Sequence, residues 1–296
     1  MLLKSMDQII SLYCPESKVK LVFANVTDTA RTLERNHLCG PIAGIVQAEL
    51  VGGAALMGTL LDTQGQSISL RVQLPEGLLG GATVECAYGY TIRGYTRRKV
   101  LPDLDDNDDP DETLFDRAMG RSAHCAVIRS DAHGGTSNAV FDLNYKDRLT
   151  TTDIVEEYFN TSLQRRALVQ LSAASKLGYV ECAHALLCDF LPEATNEEFN
   201  RISAIFDSGD VQDALDAGKG PEDIAALLGL GTPNTPEEHP VSFFCPCSSD
   251  RVVTMLKTLP KADLEEMAAA DKPTEIYCHM CGKCYTITQK QAKSLL

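Results

Sequence analysis

The sequence contains no tryptophan and few basic residues: 27 Lys and Arg stand against 41 Asp and Glu, which gives a formal net charge of −14 at pH 7. Such a charge repels phosphate backbones and anionic lipid surfaces, so binding to either would need a local basic patch. The basic clusters at 96–99 and 165–166 are too short to follow a phosphate backbone. We therefore expect neither nucleic acid nor a membrane among the partners of this protein.

Long apolar runs are also lacking. No stretch reaches the roughly 18 to 20 consecutive apolar residues of a membrane-spanning helix, and residues 1–20 contain short apolar pairs broken by charges and a proline. The sequence therefore predicts no secretory signal and a cytoplasmic location. With 296 residues and 44% hydrophobic content, the chain is long enough for one domain of ordinary size and one or two smaller units.

Cysteine, in contrast, is abundant, with eleven residues. In a chain without a secretory signal, scattered cysteines are usually reduced and buried, whereas closely spaced ones indicate metal or redox chemistry. The scattered set is interpreted as structural: Cys14, Cys39, Cys86, Cys125, Cys182 and Cys188. The closely spaced set indicates a chemical role: Cys245, Cys247, Cys278, Cys281 and Cys284.

Residues 1–192 are predicted to form one α+β domain, because segments of helical period alternate with segments of period two without a strict βαβ repeat. Residues 41–61 are predicted to form an apolar helix whose small residues allow close packing. A second helix is predicted at 153–162, capped by the acid at its start. Strands are predicted at 67–74, 86–95 and 123–129.

An acidic stretch at 103–112 carries seven acids in ten residues. A calcium-binding loop needs a glycine at its sixth position and an acid at its twelfth. Here those positions hold Asp108 and Leu114. The stretch is therefore interpreted as a solvated loop rather than a calcium site.

Residues 193–239, called the linker below, contain eleven acids and two bases. Helices are predicted at 196–206, 211–217 and 221–230, each about ten residues or shorter. Helices of this length are marginal alone, and mutual repulsion of the acids weakens them further. The linker should therefore fold only while another part of the protein supports it.

The last segment, 240–296, contains Cys245-Pro-Cys247 and, after thirty intervening residues, Cys278-His-Met-Cys281. Two closely spaced thiolate pairs, brought together by a folded insert, are the usual way to place four sulfur ligands around one zinc ion. The insert is predicted to contain two short helices and then a strand. We therefore predict one zinc ion per chain, held by all four of these cysteines.

Such a zinc ion can also be a permanent part of the fold with no regulatory role, and the spacing alone leaves this alternative open. The size of the segment favours a switch, because a core this small rarely supplies more than about 3–5 kcal/mol, whereas structural zinc contributes on the order of 10–16 kcal/mol. Folding of 240–296 should therefore depend on the metal, and metal binding on reduced thiolates. Oxidation of either pair would remove two ligands and unfold the segment.

With these motifs the chain resembles the heat-shock protein 33 family of redox-regulated chaperones, and the resemblance covers nearly the whole length. The two cysteine motifs are its specific part. Supporting segments are 243–252 (FFCPCSSDRV), Tyr285 after the second pair, 92–95 (IRGY), 53–58 (GAALMG) and 157–162 (EYFNTS).

The resemblance implies a holdase chaperone without enzymatic activity that is inactive while reduced and zinc-bound. Oxidation would form the disulfides Cys245–Cys247 and Cys278–Cys281, release the zinc and unfold the linker. The apolar surface exposed in this way would hold unfolding client proteins without ATP. Members of the family form homodimers when active, which implies a homodimer for the oxidised form of this chain.

The chain departs from the family pattern at three points. Cys284 adds a third cysteine at CxxC spacing, as an auxiliary thiol that can substitute as a ligand, trap an alternative disulfide or remain a surface thiol. Pro246 stiffens the link between the first two cysteines, and residues 162–167 follow the family only in part. His279, inside the second motif, is the weaker candidate ligand because four cysteines are available.

Two other functions compete with the chaperone. A zinc module that binds nucleic acid is disfavoured, since 240–296 has seven bases and six acids and no basic face. A thiol oxidoreductase using Cys278 and Cys281 would place the pair at the start of a helix, whereas strand-like sequence precedes it here.

A nucleophilic cysteine paired with histidine was also considered. His124 lies beside Cys125, and His184 lies between Cys182 and Cys188. Adjacent residues on a strand face opposite ways, and no acid that would orient the histidine is evident from the sequence. These residues are therefore interpreted as core or surface positions.

Overall fold

The fold is that of a computed structural model, which describes residues 7–105, 112–145 and 147–296. The chain forms two compact units, Met1–Phe243 and Phe244–Leu296, called the first and second unit below. Helices and mostly antiparallel sheets confirm the predicted α+β class. The linker lies within the first unit, and the division of the chain at 1–192, 193–239 and 240–296 stays a prediction.

The first unit combines two sheets with eight α-helices and one π-helix, Tyr158–Ser162, in the described residues. Its strands are β1 (Gln8–Cys14), β2 (Val19–Asn25), β3 (Ser67–Gln73), β4 (Gly81–Ala87), β5 (Thr91–Thr96), β6 (Ser122–Ser130), β7 (Thr136–Asn144), β8 (Arg166–Lys176), β9 (Tyr179–Phe190), β10 (Glu237–Pro240) and β11 (Ser242–Phe243). Its helices are α1 (Thr27–His37), α2 (Pro41–Gly58), α3 (Pro102–Asp105), α4 (Glu112–Met119), α5 (Thr151–Glu157), α6 (Asn196–Asp207), α7 (Asp210–Asp216) and α8 (Pro221–Leu227).

The five-stranded sheet has the order β10-β1-β2-β9-β8 and is antiparallel throughout. The six-stranded sheet has the order β11-β5-β4-β3-β6-β7, in which β11 and β5 form the one parallel pair. Strands β10 and β11 are consecutive in the chain and join different sheets. The end of the linker is therefore fixed to both sheets of the first unit.

Helix α2 packs against strands of both sheets and forms the centre of the main core. Its length and mean hydropathy of 1.3 would suffice to cross a membrane, although Gln47 and Glu49 interrupt the apolar run, and 89% of it is buried inside the protein. A methyl group added at Gly53 would lie 2.6 Å from Cγ2 of Val155. Small residues thus permit the close packing that the sequence predicted, and α2 is accounted for as a core helix.

Two predictions about elements were wrong in detail. The single strand predicted at 86–95 is the hairpin of β4 and β5, because Gly89 and Tyr90 have φ of 82° and 56° and reverse the chain. Helix α5 is capped by Thr150, which accepts from the Asp153 amide, while the Asp153 carboxylate accepts from the Thr150 amide at 2.7 Å. The acid is thus the second member of a capping box rather than the cap.

The three linker helices form as predicted and cover one face of the five-stranded sheet. Thr195 caps α6 by accepting from the Glu198 amide at 3.1 Å, and Pro221 occupies the first turn of α8. Together the sheet and the helices form a second apolar core whose large buried members are Leu12, Leu21, Leu186, Phe190, Ile202, Val211, Leu215, Ile224, Leu228 and Leu230. This core supplies the support that the short acidic helices need.

The second unit contains α9 (Ser249–Leu256), α10 (Lys261–Ala269), β12 (Thr274–Tyr277), β13 (Cys284–Ile287) and α11 (Gln289–Lys293). The predicted pair of helices and the strand that follows are confirmed. Its core is small and consists of Val252, Leu256, Leu264, Tyr285 and Ile287, with partly buried neighbours.

The remaining sequence predictions concern acids and scattered cysteines. Residues 106–111 of the acidic stretch lie outside the described residues, while Asp105 accepts from the Leu101 amide at 2.5 Å. Among the scattered cysteines, Cys14, Cys86, Cys125 and Cys188 are buried, as the structural interpretation predicts, and Cys39 and Cys182 are half-buried.

Candidate metal centre

The second cysteine pair is positioned by the turn that joins β12 to β13. The Cys278 amide donates to the Lys283 carbonyl at 2.9 Å, and the Cys278 carbonyl accepts from the amides of Gly282 at 2.8 Å and Cys281 at 3.3 Å. Gly282 has φ of 72°, which lets the chain turn back into β13. This turn directs both thiols to the same side of the hairpin.

The first cysteine pair lies in the segment between β11 and α9. Ser248 caps α9 by accepting from the Arg251 amide at 3.3 Å, so Cys247 immediately precedes a fixed helix start. Val252 and Leu256 of α9 pack against Tyr285 and Ile287 of β13 in the core of the second unit. Packing of α9 on the hairpin of β12 and β13 therefore brings the first cysteine pair close to the second.

All four predicted ligands come together. The Sγ atoms of Cys245, Cys247, Cys278 and Cys281 lie within 4.8 Å of one another. Two of the distances join the two motifs: 3.4 Å between Sγ of Cys247 and Cys281, and 3.9 Å between Sγ of Cys245 and Cys278. These separations are too long for disulfide bonds of about 2.05 Å and are suited to four thiolates that share one metal ion.

A hydroxyl group also belongs to the site. The Tyr285 hydroxyl donates to Sγ of Cys247 at 3.0 Å, and the Lys283 ammonium lies 5.2 Å from the centre of the Tyr285 ring. Burial opposes ionisation of Cys247, but the hydrogen bonds from Tyr285 and the neighbouring thiols outweigh it and lower its pKa to about 7. Tyr285 thus favours a thiolate at one corner of the cluster.

The thiols of the second cysteine pair are less able to ionise. Burial, the largest cause, raises the pKa of Cys278 and of Cys281, and the nearby sulfur of Cys245 adds to the effect at both. Four negative charges this close together need a cation to balance them. The arrangement is thus chemically suited to a metal ion with soft sulfur ligands.

Two residues of the same motifs are not part of this cluster. Cys284 is exposed at the start of β13, opposite Tyr277 in the hairpin register, and His279 lies in the turn. The metal-binding group that the structure forms in the second unit comprises the four cysteines. The auxiliary role of Cys284 stays a prediction.

The two Cys and His combinations do not form nucleophilic pairs. Cys125 is buried, whereas the adjacent His124 is exposed and its Nδ1 lies 2.7 Å from Oδ1 of Asp142. The acid beside His124 was missed in the sequence because it comes from β7, seventeen residues beyond Cys125. His184 stacks on the Phe23 ring, with 5.7 Å between ring centres.

Comparisons with known proteins agree with this geometry. The chain matches the family model described as Hsp33 protein over residues 7–288, which include both cysteine pairs. It is 25% identical over 302 residues to the 33 kDa chaperonin of Lachnoclostridium phytofermentans, with 98% of each chain covered. It is 28% identical to the 33 kDa chaperonin of Syntrophotalea carbinolica, with 98% of this chain and 99% of the relative covered.

A solved structure shows the same fold. The crystal structure of the 33 kDa chaperonin from Thermotoga maritima superposes with a TM-score of 0.84 over 98% of this chain and 97% of that one, at 17% identity. The match to the family model extends over nearly the whole length and includes the cysteine cluster just described. The chain therefore belongs to the Hsp33 family of chaperones.

Proposed function

We propose that this protein is an ATP-independent holdase of the cytoplasm that is inactive when reduced and zinc-bound and becomes active on oxidation. The observation that carries the proposal is the cluster of four sulfurs within 4.8 Å in a unit with a very small core. Family membership supports the chaperone activity, and the geometry supports its control by thiol chemistry. We assign no enzymatic step to the chain.

Zinc is the metal that suits this cluster best. Four sulfurs at the corners of a tetrahedron, with metal–sulfur bonds of about 2.3 Å, lie about 3.8 Å apart. The two sulfur–sulfur distances that join the motifs, 3.4 and 3.9 Å, bracket that value. A bound zinc ion would neutralise the thiolates and tie the segment before α9 to the hairpin of β12 and β13.

Oxidation removes the ligands. Each disulfide forms when two thiols lose two protons and two electrons to an oxidant such as hydrogen peroxide, which is reduced to water. Family resemblance assigns the pairs Cys245–Cys247 and Cys278–Cys281, although sulfur contacts of 3.4 and 3.9 Å also join one motif to the other. Either pairing leaves four cysteines that no longer coordinate a metal, and the small core of the second unit cannot compensate.

The folded linker covers the surface that would bind client proteins. The linker carries a net charge of −9 with His239 neutral, and its helices stay folded by packing on the apolar face of the five-stranded sheet. Once they detach, that face is exposed and can bind apolar segments of unfolding proteins. We further propose that two oxidised chains associate as a homodimer, since such a large apolar surface favours association.

The test combines metal, thiol and client measurements. Hydrogen peroxide with mild heat should release one zinc ion per chain, consume four thiols and suppress aggregation of a thermally unfolding client. A reduced, zinc-loaded sample should give little protection. Equal protection by the reduced sample would contradict the switch and favour the alternative of a permanent structural zinc.

The ligand assignment has its own test. Cys281→Ser should weaken zinc retention, because Cys281 is 3% exposed and its sulfur lies 3.4 Å from that of Cys247. Competition with a metal-binding dye measures the affinity, and Cys284→Ser is the matched control. Unchanged stoichiometry and affinity in Cys281→Ser would contradict the assignment.

The oxidoreductase alternative is separable as well. Cys278 and Cys281 lie in a hairpin turn, not at the start of a helix where the thiolate of a reductase is stabilised. We therefore expect negligible reduction of insulin disulfides. Turnover at the rate of a dedicated reductase would favour the enzyme over the chaperone.

A further inference from the structure

A cavity of about 580 Å³ lies within the first unit, away from the cysteine motifs in sequence. Its walls come from α2, α4, β8, the start of α5 and linker helix α7. The volume falls in the range of small-molecule sites, about 300–1,000 Å³. The residues that matter for its chemistry are Glu49, Arg148 and Thr151 on the polar side and Ile45, Phe115 and Leu149 on the apolar side.

Glu49 is the distinctive group of this cavity. It belongs to the core helix α2, and it is one of the two residues of that helix that are half-buried rather than fully buried, because it lines the cavity. Among the described residues, the one hydrogen bond that its carboxylate accepts comes from the Thr151 hydroxyl, to Oε2 at 2.7 Å. A carboxylate can accept about four hydrogen bonds. Most acceptor positions of Glu49 are therefore available to a ligand in the cavity.

The charges around the cavity favour a cation. Glu49 and Asp216 of α7 repel each other, and Asp116 of α4 lies 3.4 Å from the Arg148 guanidinium. Among the described residues that line the cavity, Glu49 is the one acid and Arg148 the one base, and the ion pair with Asp116 offsets the charge of Arg148. Burial raises the pKa of Glu49 to about 7, against the opposing hydrogen bond from Thr151 and the attraction of Arg148.

We propose that this cavity binds a small primary ammonium compound with a compact apolar body, and that its occupancy holds α7 on the sheet. The nitrogen donates to the Glu49 carboxylate, while the body lies against Ile45, Phe115 and Leu149. An ammonium group supplies three donors and the positive charge that a buried carboxylate lacks. Binding thus gives the poorly solvated Glu49 carboxylate a positively charged partner.

The effect on α7 follows from the position of Gln212. This residue of α7 lines the cavity, and its Oε1 accepts from Nε2 of Gln170 on β8 at 2.5 Å. The hydroxyl of Ser172 on β8 also donates to the Asp216 carboxylate. A ligand in the cavity contacts the helix and the sheet together, so it adds to the polar contacts that keep α7 docked.

The test measures binding to the reduced full-length protein by titration calorimetry, with 2-phenylethylammonium chloride as the probe and 2-phenylethanol as its uncharged counterpart. At pH 8 the ammonium compound should bind once per chain and at least tenfold more tightly than the alcohol. Since the ionised fraction of Glu49 falls between pH 8 and pH 6, the dissociation constant should rise about tenfold over that range. Equal affinity for the two compounds would overturn the proposal.

Two variants locate the site. Glu49→Gln keeps an acceptor for Thr151 but removes the charge, and should weaken ammonium binding at least tenfold, whereas Glu266→Gln on the exposed surface of α10 should not change it. Unchanged binding by Glu49→Gln would overturn the site. The pH comparison uses the unaltered protein, so the proposal stays testable if Glu49→Gln does not fold.

Amide hydrogen exchange tests the second half of the proposal. The ammonium probe should slow exchange in residues 210–216 of the unaltered protein and leave it unchanged in Glu49→Gln. Binding without slower exchange in 210–216 would overturn the effect on α7. Neither measurement depends on the redox switch, so failure of the proposed function would be seen separately, in the client assay.

Discussion

At the scale of single residues, the sulfur cluster depends on a side chain outside the cysteine motifs. The Tyr285 hydroxyl donates to Sγ of Cys247, and the Tyr285 ring belongs to the core of the second unit. Tyr285 thus contributes both to the core of the second unit and to the hydrogen bonding of a metal ligand. Partners that donate hydrogen bonds to metal ligands typically contribute about 10- to 100-fold to metal affinity.

We predict that Tyr285→Phe lowers zinc affinity about tenfold, because it removes the hydrogen bond to the thiolate and keeps the ring. Competition with a chelator on the reduced protein measures the change. Tyr277→Phe is the matched control, since the exposed Tyr277 hydroxyl donates to Glu275 at 2.7 Å instead. The same affinity in both variants would show that the hydrogen bond is not important for binding.

Glu49 gives a second prediction at this scale. Its carboxyl has an ordinary pKa of 4.5 and, because of burial, one of about 7 in the folded protein. The folded state therefore binds a proton that the unfolded chain has lost, and stability falls as the pH rises through this range, by up to about 3 kcal/mol.

Glu49→Gln should remove this dependence, so the variant should be more stable relative to the unaltered protein at pH 8 than at pH 5. Urea unfolding of the reduced protein at the two pH values measures the difference. Glu266→Gln serves as the control with the same loss of charge. An identical effect of Glu49→Gln at both pH values would contradict the raised pKa.

At the scale of elements, the linker helices are short and owe their structure to docking. Helix α7 has seven residues, three of them acids, and buries Val211 and Leu215. A helix of this length does not form alone in water. Its stability therefore depends on those two apolar contacts and on the polar ones from Gln212 and Asp216.

We predict that Leu215→Ala detaches the linker without oxidation, since truncating a fully buried leucine costs about 2–5 kcal/mol. The reduced variant should protect a client from aggregation and lose protease resistance in 193–239. Leu227→Ala removes the same atoms from a side chain that is 39% exposed on α8, and should behave as the unaltered protein. If Leu215→Ala stayed inactive while reduced, docking of α7 would not control the client surface.

The sequence predicted elements well where the signal is local and less well where pairing is distant. Capping and proline signals located α6 and α8, and ligand spacing located the four cysteines. The hairpin of β4 and β5 was missed because the turn at Gly89 and Tyr90 carries no proline and interrupts an apolar pattern only briefly.

The features that the sequence did not predict depend on contacts between residues far apart in the chain. Strand β10 was not predicted because Glu237, Glu238 and His239 are polar, and only pairing with β1 makes this segment a strand. The bond from Tyr285 to Cys247 and the cavity at Glu49 likewise join residues far apart in sequence. Such features depend on the assembled fold rather than on neighbouring residues.

At the scale of the whole molecule, the two units differ in what keeps them folded. The first unit has a large apolar core around α2, whereas the second has five buried apolar residues of substantial size and a cluster of thiols. The chain passes from Phe243, in a strand of the first unit, to Cys245 within two residues. Oxidation should therefore affect the second unit first and spare the core of the first.

Peptide-resolved hydrogen exchange tests this central claim most directly. It would compare the full-length protein when reduced and zinc-loaded with the same protein after peroxide, mild heat and removal of zinc. The account predicts that residues 245–296 lose protection completely, that 193–239 lose it as well, and that β2 and β9 keep it. Protection retained in 245–296 after the metal is gone would contradict the account.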